Sequence, residues 1–264
     1  VTDIASTRPT RPRPRPRTLG ITLVLVAFTV FAAREVSFSF STFWEVWSNP
    51  LWEKFWPIPW GWVLDGDNVI KPLVETFQIA VVSTVIGCGL ALPISFAMSP
   101  LTTPNRPTHL ISRAVMNVVR AVPDLFWAKL LVTAIGIGAF AGSWALSVFS
   151  LAVMVKLFSE TIDSADPGPL EAARAAGGRH TPVVRTGVLP TVLPAYVAYA
   201  LYVFELNIRA SVVLGLVGAG GIGRVLEAQR QFFKFDRILG ILVLIFVVVW
   251  IVDQISVALR KRLV

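Results

Sequence analysis

The sequence predicts an all-α membrane protein with about six transmembrane helices, and three observations carry that reading. Of the 264 residues, 55% are hydrophobic and only 15% charged, against roughly 25% charge in soluble domains. Apolar blocks long enough to cross hydrocarbon recur along the chain. The positive charge, net +8, gathers between those blocks on alternate sides. A mean hydropathy of +0.68 excludes an ordinary cytosolic enzyme and a disordered chain. One cysteine, Cys88, and two histidines, His109 and His180, leave no disulfide, no cysteine metal cluster and too few ligands for most structural zinc sites. No catalytic constellation and no metal site is expected.

Taken in order, residues 1–18 alternate Arg8, Arg11, Arg13, Arg15 and Arg17 with prolines and a threonine. Self-repulsion and missing backbone donors predict a disordered basic tail that orients the first span; nucleic-acid binding is the alternative. The apolar run 19–33 is short for a bilayer, about 22 Å as a helix, so its helix should continue past Arg34 and Glu35. It resembles a signal peptide, but Phe31 spoils a small-x-small cleavage site, which favours an uncleaved anchor. Residues 38–62 hold Trp44, Trp47, Trp52, Trp56, Trp60 and Trp62, six of nine tryptophans. Indole rings favour the headgroup level, so 19–71 reads as a first span plus an outer interfacial segment. An aromatic ligand cage is the sharper alternative.

The remaining chain, 72–264, reads as a core of five helices. Block 72–98 is a strong span. Blocks 123–140 and 144–158 form a hairpin about the uncharged stretch 136–143. Block 183–217 is too long for one simple span and carries Pro190, Pro194, Glu205 and Arg209. Block 238–259 precedes Arg260, Lys261 and Arg262. Six spans put both termini on one side. Lysine and arginine, counted between spans with 99–122 and 160–185 as loops, then fall fourteen on that side and seven on the other, which makes that side the cytoplasm. The basic stretch 224–237 faces outward against this bias.

Gly218, Gly220 and Gly223 match G-x-G-x-x-G. A dinucleotide site requires a preceding strand and further βαβ units, whereas here an apolar span precedes the glycines. Gly218, Gly220, Gly221 and Gly223 therefore read as a helix break, tolerated at membrane depth where it is buried in protein or lines a water-filled path. No P-loop occurs. Three oppositely charged pairs stand four residues apart within or beside the apolar blocks: Arg120/Asp124, Lys156/Glu160 and Glu205/Arg209. They either neutralise themselves or offer cations to an anion in transit. Lys129 has no acid four residues away.

The polar segment 166–194 begins with helix-start chemistry at Asp166, Pro167 and Pro169 and stops at Gly177 and Gly178. Glu171-Ala172-Ala173, three residues, Gly177, then Leu189-Pro190 resembles the EAA loop of ABC importer permeases. Where that family usually has an apolar residue two before Leu-Pro, this chain has Gly187. The stretches 120–127, 156–160, 202–209 and 218–223 resemble the phosphonate-type branch, and the likeness covers roughly 70–260.

The resemblance implies a type I ABC importer permease fold in a bacterial cell membrane, multi-pass, with both termini cytoplasmic. The chain would move a phosphonate, phosphate or related oxyanion. Its partners would be a second copy of itself, two ATP-binding subunits, an extracytoplasmic solute-binding protein and membrane lipid, and not nucleic acid. ATP and Mg would sit on the ATPase, with no cofactor on this chain and no catalysis by it. Coupling would use Glu171, Ala172, Ala173, Gly177, Leu189 and Pro190 within 166–190. The pathway would involve Lys129, Glu205, Asn207, Arg209, Ser211 and the four glycines. The rival classes are a secondary transporter, which would often show internal repeats, and a membrane lipid phosphatase, which needs convergent catalytic groups.

Overall fold

The computed structural model describes residues 16–36, 39–103 and 105–262, and every regular element among them is helical. Most of the expected 1–18 tail lies outside the described residues. The chain forms two compact units, one ending at Trp52 and one beginning at Glu53. In the first, α1 (Pro16–Glu35) and α2 (Phe40–Trp47) meet at a 54° bend across a break. Ser39 caps α2 by accepting from Thr42 N–H. Trp44 and Trp47 leave most of their surface uncovered.

In the second unit a short π-helix, Gly66–Ile70, leads into α4 (Lys71–Met98). Then follow α5 (Arg106–Ala121), α6 (Asp124–Ile135), α7 (Ala139–Asp163), α8 (Gly168–Ala175), α9 (His180–Gly187), α10 (Leu189–Gly215), α11 (Gly221–Gln231) and α12 (Phe235–Arg260). The helix α3 (Trp60–Val63) packs on the start of α12: Val63 and Ile58 close over Gly240, and the Arg237 guanidinium lies 4.5 Å from the centre of the Trp62 ring. Residues 58–70, within the segment 19–71 of the sequence reading, pack with α12 and α11.

Four helices among the described residues are long and apolar enough to cross a membrane: Gly66–Met98, Ala139–Asp163, Leu189–Gly215 and Phe235–Arg260; the bent α1–α2 pair makes five if it is one span. The expected span 123–140 is not one helix. Its helical part, α6, has 12 residues, about 18 Å. The expected loop 99–122 is mostly α5, an amphipathic helix capped by Asn105, whose Oδ1 accepts from Thr108 N–H at 3.0 Å. Near its start, His109 Nδ1 lies 2.8 Å from the Met98 carbonyl at the end of α4. Pro123 stops α5, because the residue before proline avoids the α region, and α6 continues to the start of α7. Met116 packs in a cluster with Ala152, and Ala128 in one with Ala145 and Leu146. Thus α5 and α6 together run antiparallel to α7 along the bundle, broken at Val122–Pro123. Arg106, Arg113 and Arg120, counted above as loop charges, stand on this helix pair.

The bundle centres on α4 against α7. Gly87 lies so close to α7 that a Cβ there would collide with Ser150 Cβ and come within 2.8 Å of the Ser147 carbonyl. Around it, Ala80, Ser83 and Ala91 of α4 and Ser147, Ser150 and Ala152 of α7 are buried, and Ser83 Oγ donates to the Ser143 carbonyl at 3.0 Å. Small residues let helices approach where lipid offers no hydrophobic drive. The third helix is tied in by Asn207 of α10, fully buried, whose Nδ2 donates to Thr84 Oγ1 at 2.8 Å and to Ser150 Oγ at 2.7 Å.

This packing predicts a sharp contrast between two glycines of one helix. Gly87→Ala should destabilise the detergent-solubilised protein by about 1–3 kcal/mol through overpacking. Gly89→Ala, with nothing within 4 Å of its added carbon, should be neutral or slightly stabilising. Equal thermal unfolding midpoints for the two variants would refute the close α4–α7 contact.

Candidate functional site

The loop 164–188 is a compact two-helix projection. Asp166 Oδ1 accepts from Gly168 N–H at 2.9 Å and starts α8. Leu170 is fully buried among Phe158 and Ile162 of α7, Val183 of α9, Val192 of α10 and Leu101 after α4. Arg174 reaches the Leu101 carbonyl at 3.3 Å. The rest of α8 is presented outward: Glu171, Ala172, Arg174 and Ala175 are exposed, and Ala173 is half-buried. The helix ends at Gly177, whose φ of +80° suits glycine; there is open space around it. Gly178 supplies the tight contact, since a Cβ there would meet Val183 and the Ala173 carbonyl. The unusual Gly187 has a local reason: a Cβ would lie 3.3 Å from the Pro169 carbonyl and 3.4 Å from the Leu170 backbone, so the glycine lets α9 lie against the start of α8. One residue, Val188, separates α9 from Leu189 and Pro190 at the start of α10.

On α10 the expected Glu205/Arg209 pair is present, but it is half of a larger cluster. Glu205, with its side chain 6% exposed, accepts from Arg209 through one oxygen and from Arg260 of α12 through the other, the latter at 3.1 Å. Asp253 of α12 lies 4.0 Å from Arg209, and Arg260 stands 5.9 Å from the Tyr202 ring centre. Two acids and two bases thus join α10 to α12, with the Arg209 side chain 49% exposed. Sequence reasoning missed Arg260 and Asp253, which lie far along the chain from Glu205. Arg260 had been assigned to the polar terminus.

The glycine-rich segment is a buried reversal between α10 and α11. Gly218, Gly220 and Gly221 have φ of +94°, +87° and +68°. Gly138 N–H donates to the Gly218 carbonyl at 3.0 Å, and Ile222 N–H donates to Thr76 Oγ1 at 2.8 Å. Gly223 packs on Gly215. Ile222 shares a buried cluster with Ile241, six residues into α12, or about 9 Å from its start. The reversal is therefore packed beside α12 inside its first turns, with the N–H groups of Gly218, Ala219 and Ile222 and the Gly218 carbonyl hydrogen-bonded to protein. No strand precedes it, as a dinucleotide site would need. On α11, Arg230 donates twice to Glu227, at 2.7 Å each, and with Gln231 holds that carboxyl down to about 2. That pairing and the Arg237–Trp62 contact engage two of the four cations in 224–237.

The other expected residues scatter. Asn207 points into the α4–α7 contact, and Ser211 is buried, donating to the Ile208 carbonyl at 2.9 Å. Lys129 is exposed on α6. Lys156 and Glu160 are paired. Arg120 and Asp124 are not: Arg120 donates to Asn117 Oδ1 at 2.7 Å, and Asp124 accepts from Leu125 N–H at 2.9 Å. The Pro123 break turns their two helices apart, which an i,i+4 spacing on a continuous helix does not anticipate. Trp127 Nε1–H is buried without an acceptor among the described residues.

The cluster revises how paired substitutions should behave. Glu205→Gln leaves two arginines facing a neutral group, a loss of about 3 kcal/mol or more for a buried pair. Adding Arg209→Gln should recover only part of that loss, because Arg260 and Asp253 keep unmatched charges. Full recovery of thermal stability in the double variant would show that Arg260 does not contact Glu205.

With this geometry in hand, comparison with known proteins gives a consistent result. Residues 89–264 match the family described as binding-protein-dependent transport system inner membrane component. The chain is 37% identical over 199 residues to the phosphate-import permease protein PhnE of Mycolicibacterium smegmatis, covering 75% of this chain but only 37% of that protein. It is 37% identical over 193 residues to the phosphite transport system permease protein PtxC of Stutzerimonas stutzeri, covering 73% and 70% of the two chains. In fold, it is similar to the permease chain in inward-facing structures of the MetNI methionine ABC transporter, with a TM-score of 0.64 at 20% identity over 74% of this chain and 96% of the other. The chain belongs to the family of binding-protein-dependent transport system inner membrane components: it is a multi-pass permease subunit of an ABC importer and not itself an enzyme.

Proposed function

We propose that this permease carries a small phosphorus oxyanion, a phosphonate, phosphate or phosphite, across the cell membrane into the cytoplasm. The relatives named for phosphate and phosphite transport support the substrate class. The observation that carries the mechanism is the construction of α8: an outward face of small residues around Glu171, set on a single buried knob, Leu170. Small side chains let a helix sit deep in a partner's cleft. The knob touches residues of α7, α9 and α10 and the turn after α4, so displacement of α8 is passed to three long helices at once.

In this reading two copies of the chain enclose the path, and two ATP-binding subunits, which hold ATP and Mg, dock on the two α8–α9 projections. A solute-binding protein delivers the anion on the opposite side. Closure of the ATPase dimer draws the projections together and opens the path outward; hydrolysis resets it. The α8–α9 end is cytoplasmic. Arg260, Lys261 and Arg262 lie at the same end, because α12 runs antiparallel to α10, and they agree with the positive-inside rule. Arg209, half-exposed on a membrane-spanning helix, is the pathway cation, because a guanidinium facing hydrocarbon at that depth is costly. Family membership leaves the secondary-transporter and lipid-phosphatase readings without support.

Two measurements test this proposal. In proteoliposomes holding the whole complex, Glu171→Ala should lower substrate-stimulated ATP hydrolysis several-fold while the permease keeps its unfolding midpoint, and Gly177→Val, which forces a β-branched residue to a φ of +80°, should lower hydrolysis by distorting the end of α8. Unchanged hydrolysis in both would remove the docking role of α8. In a Cys88→Ser background, a cysteine at position 230 should react with an impermeant maleimide from the extracytoplasmic side. Reaction from the cytoplasm alone would overturn the orientation.

A further inference from the structure

The arginines of α5 are not used by the mechanism above. Arg106, Arg113 and Arg120 stand seven residues apart, and residues at that interval share one face of an α-helix, drifting by only about 20° per step. Among the described residues no carboxylate pairs with any of the three. Counted from the start of α5, Arg113 lies about 10 Å and Arg120 about 21 Å along the helix, and both are exposed. A guanidinium on a helix packed in a membrane bundle is expected to face water or protein, not lipid.

The protein offers such a place. Between α5 and α7 is a cavity of about 130 Å³ lined by Arg113, Arg120 and Lys156 together with Asn117 and Ser159. It opens beside a larger groove of about 460 Å³ that Arg120 and Lys156 also line, with Trp127 further along. Three carboxylates adjoin these spaces: Glu160 pairs with Lys156, Asp163 accepts from the Ser99 hydroxyl, and Asp124 accepts from Leu125 N–H; among the described residues none forms an ion pair with Arg113 or Arg120. Among the described residues the guanidiniums of Arg113 and Arg120 have no ion-pair partner, and the buried Trp127 Nε1–H has no acceptor.

We infer that Arg120, Arg113 and Arg106, with Lys156 beside the first two, form a release track that hands the oxyanion down the α5 face to the α8–α9 end. The inference rests on the oxyanion-importer reading and assigns to it a route on this chain. The spacing suits transit. Rungs about 10 Å apart along the helix are too far apart for one small tetrahedral anion to bridge two arginines, so each site binds alone and weakly. Conduction requires sites favourable enough to enter and weak enough to leave. Lys156, already held by Glu160, deepens the Arg120 site only partly. The phosphate-like chemistry that such a track recognises is shared by the free anion and by an anionic lipid headgroup, and the experiment separates the two.

The test uses the full complex with its ATPase and solute-binding protein in proteoliposomes. The probe is radiolabelled inorganic phosphate, phosphite or methylphosphonate, whichever the wild type imports. Arg120→Gln should lower uptake about tenfold, the loss expected for one charge-assisted contact, while ATP hydrolysis stays within about twofold. Arg120→Lys should keep most of the uptake, and Arg113→Gln should fall in the same direction as Arg120→Gln. Wild-type uptake by both glutamine variants in assembled complexes would overturn the track and leave the importer reading standing. Failure of the wild type to import any of the three anions would overturn both. The ratio of variant to wild-type uptake should be the same in neutral phosphatidylcholine vesicles and in vesicles containing phosphatidylglycerol. A loss that appears only with phosphatidylglycerol would assign the arginines to lipid headgroups instead and end the proposal.

Discussion

The close approach of α4 and α7 is the contact on which the rest of the second unit depends. Gly87 removes the side chain that would hold the two helices apart, and the serines of α7 then come near enough to hydrogen-bond. The gap they leave is the right width for Asn207 to span from α10, bonding Thr84 on one helix and Ser150 on the other. Hydrogen bonds of this kind are modest individually, about 1 kcal/mol in membranes. Their larger effect is on register: an amide that must meet two partners on two helices admits one rotation of α10. That rotation turns Glu205 and Arg209 toward α12, so the charge cluster follows from the α4–α7 contact.

Charge is handled differently in the two halves of the bundle. Between α10 and α12, acids and bases occur in equal number and share partners, so removing any one leaves an excess. Between α5 and α7, Glu160 pairs with Lys156 and Asp163 accepts from Ser99, while among the described residues Arg113 and Arg120 form no ion pair. A balanced cluster is a fastening; an unbalanced one is a reservoir of potential for a mobile counter-charge.

Much of this was legible in the sequence where the determining chemistry is local. The helix α8 could be read from Asp166, the alanines and Gly177 because caps, propensity and φ > 0 are properties of neighbouring residues. The long apolar helices were legible for the same reason. The helix pair made by α5 and α6 was hidden because its first half is amphipathic: Arg106, Arg113 and Arg120 lower the hydropathy of a window whose opposite face, at Ile111, Val115 and Val118, is exposed and apolar. Averaging along the chain mixes two faces that the helix separates. Arg260 was out of reach for another reason. Nothing near it predicts that a residue 55 positions from Glu205 supplies that carboxylate's second hydrogen bond. Asn207 was noticed as part of a motif and placed in the pathway, because a polar residue in a span looks the same in one dimension whether it faces a channel or a neighbouring helix.

The reversal at Gly218 also constrains how the molecule can move. Its carbonyl accepts from Gly138, the Ala219 carbonyl fills the space a side chain would need at Gly142, and Ile222 is hydrogen-bonded to Thr76. The start of α7, the end of α10 and the first part of α4 are thereby pinned at one end of the bundle. At the other end the same helices meet around Leu170 through apolar side-chain packing, without backbone hydrogen bonds of that kind among the described residues. A lever fixed at one end and free at the other can only swing about the fixed end. A push on α8 would then splay the helices at the α8–α9 end, and any opening on the far side would require the pinned block to rock as a whole against whatever stands beside it.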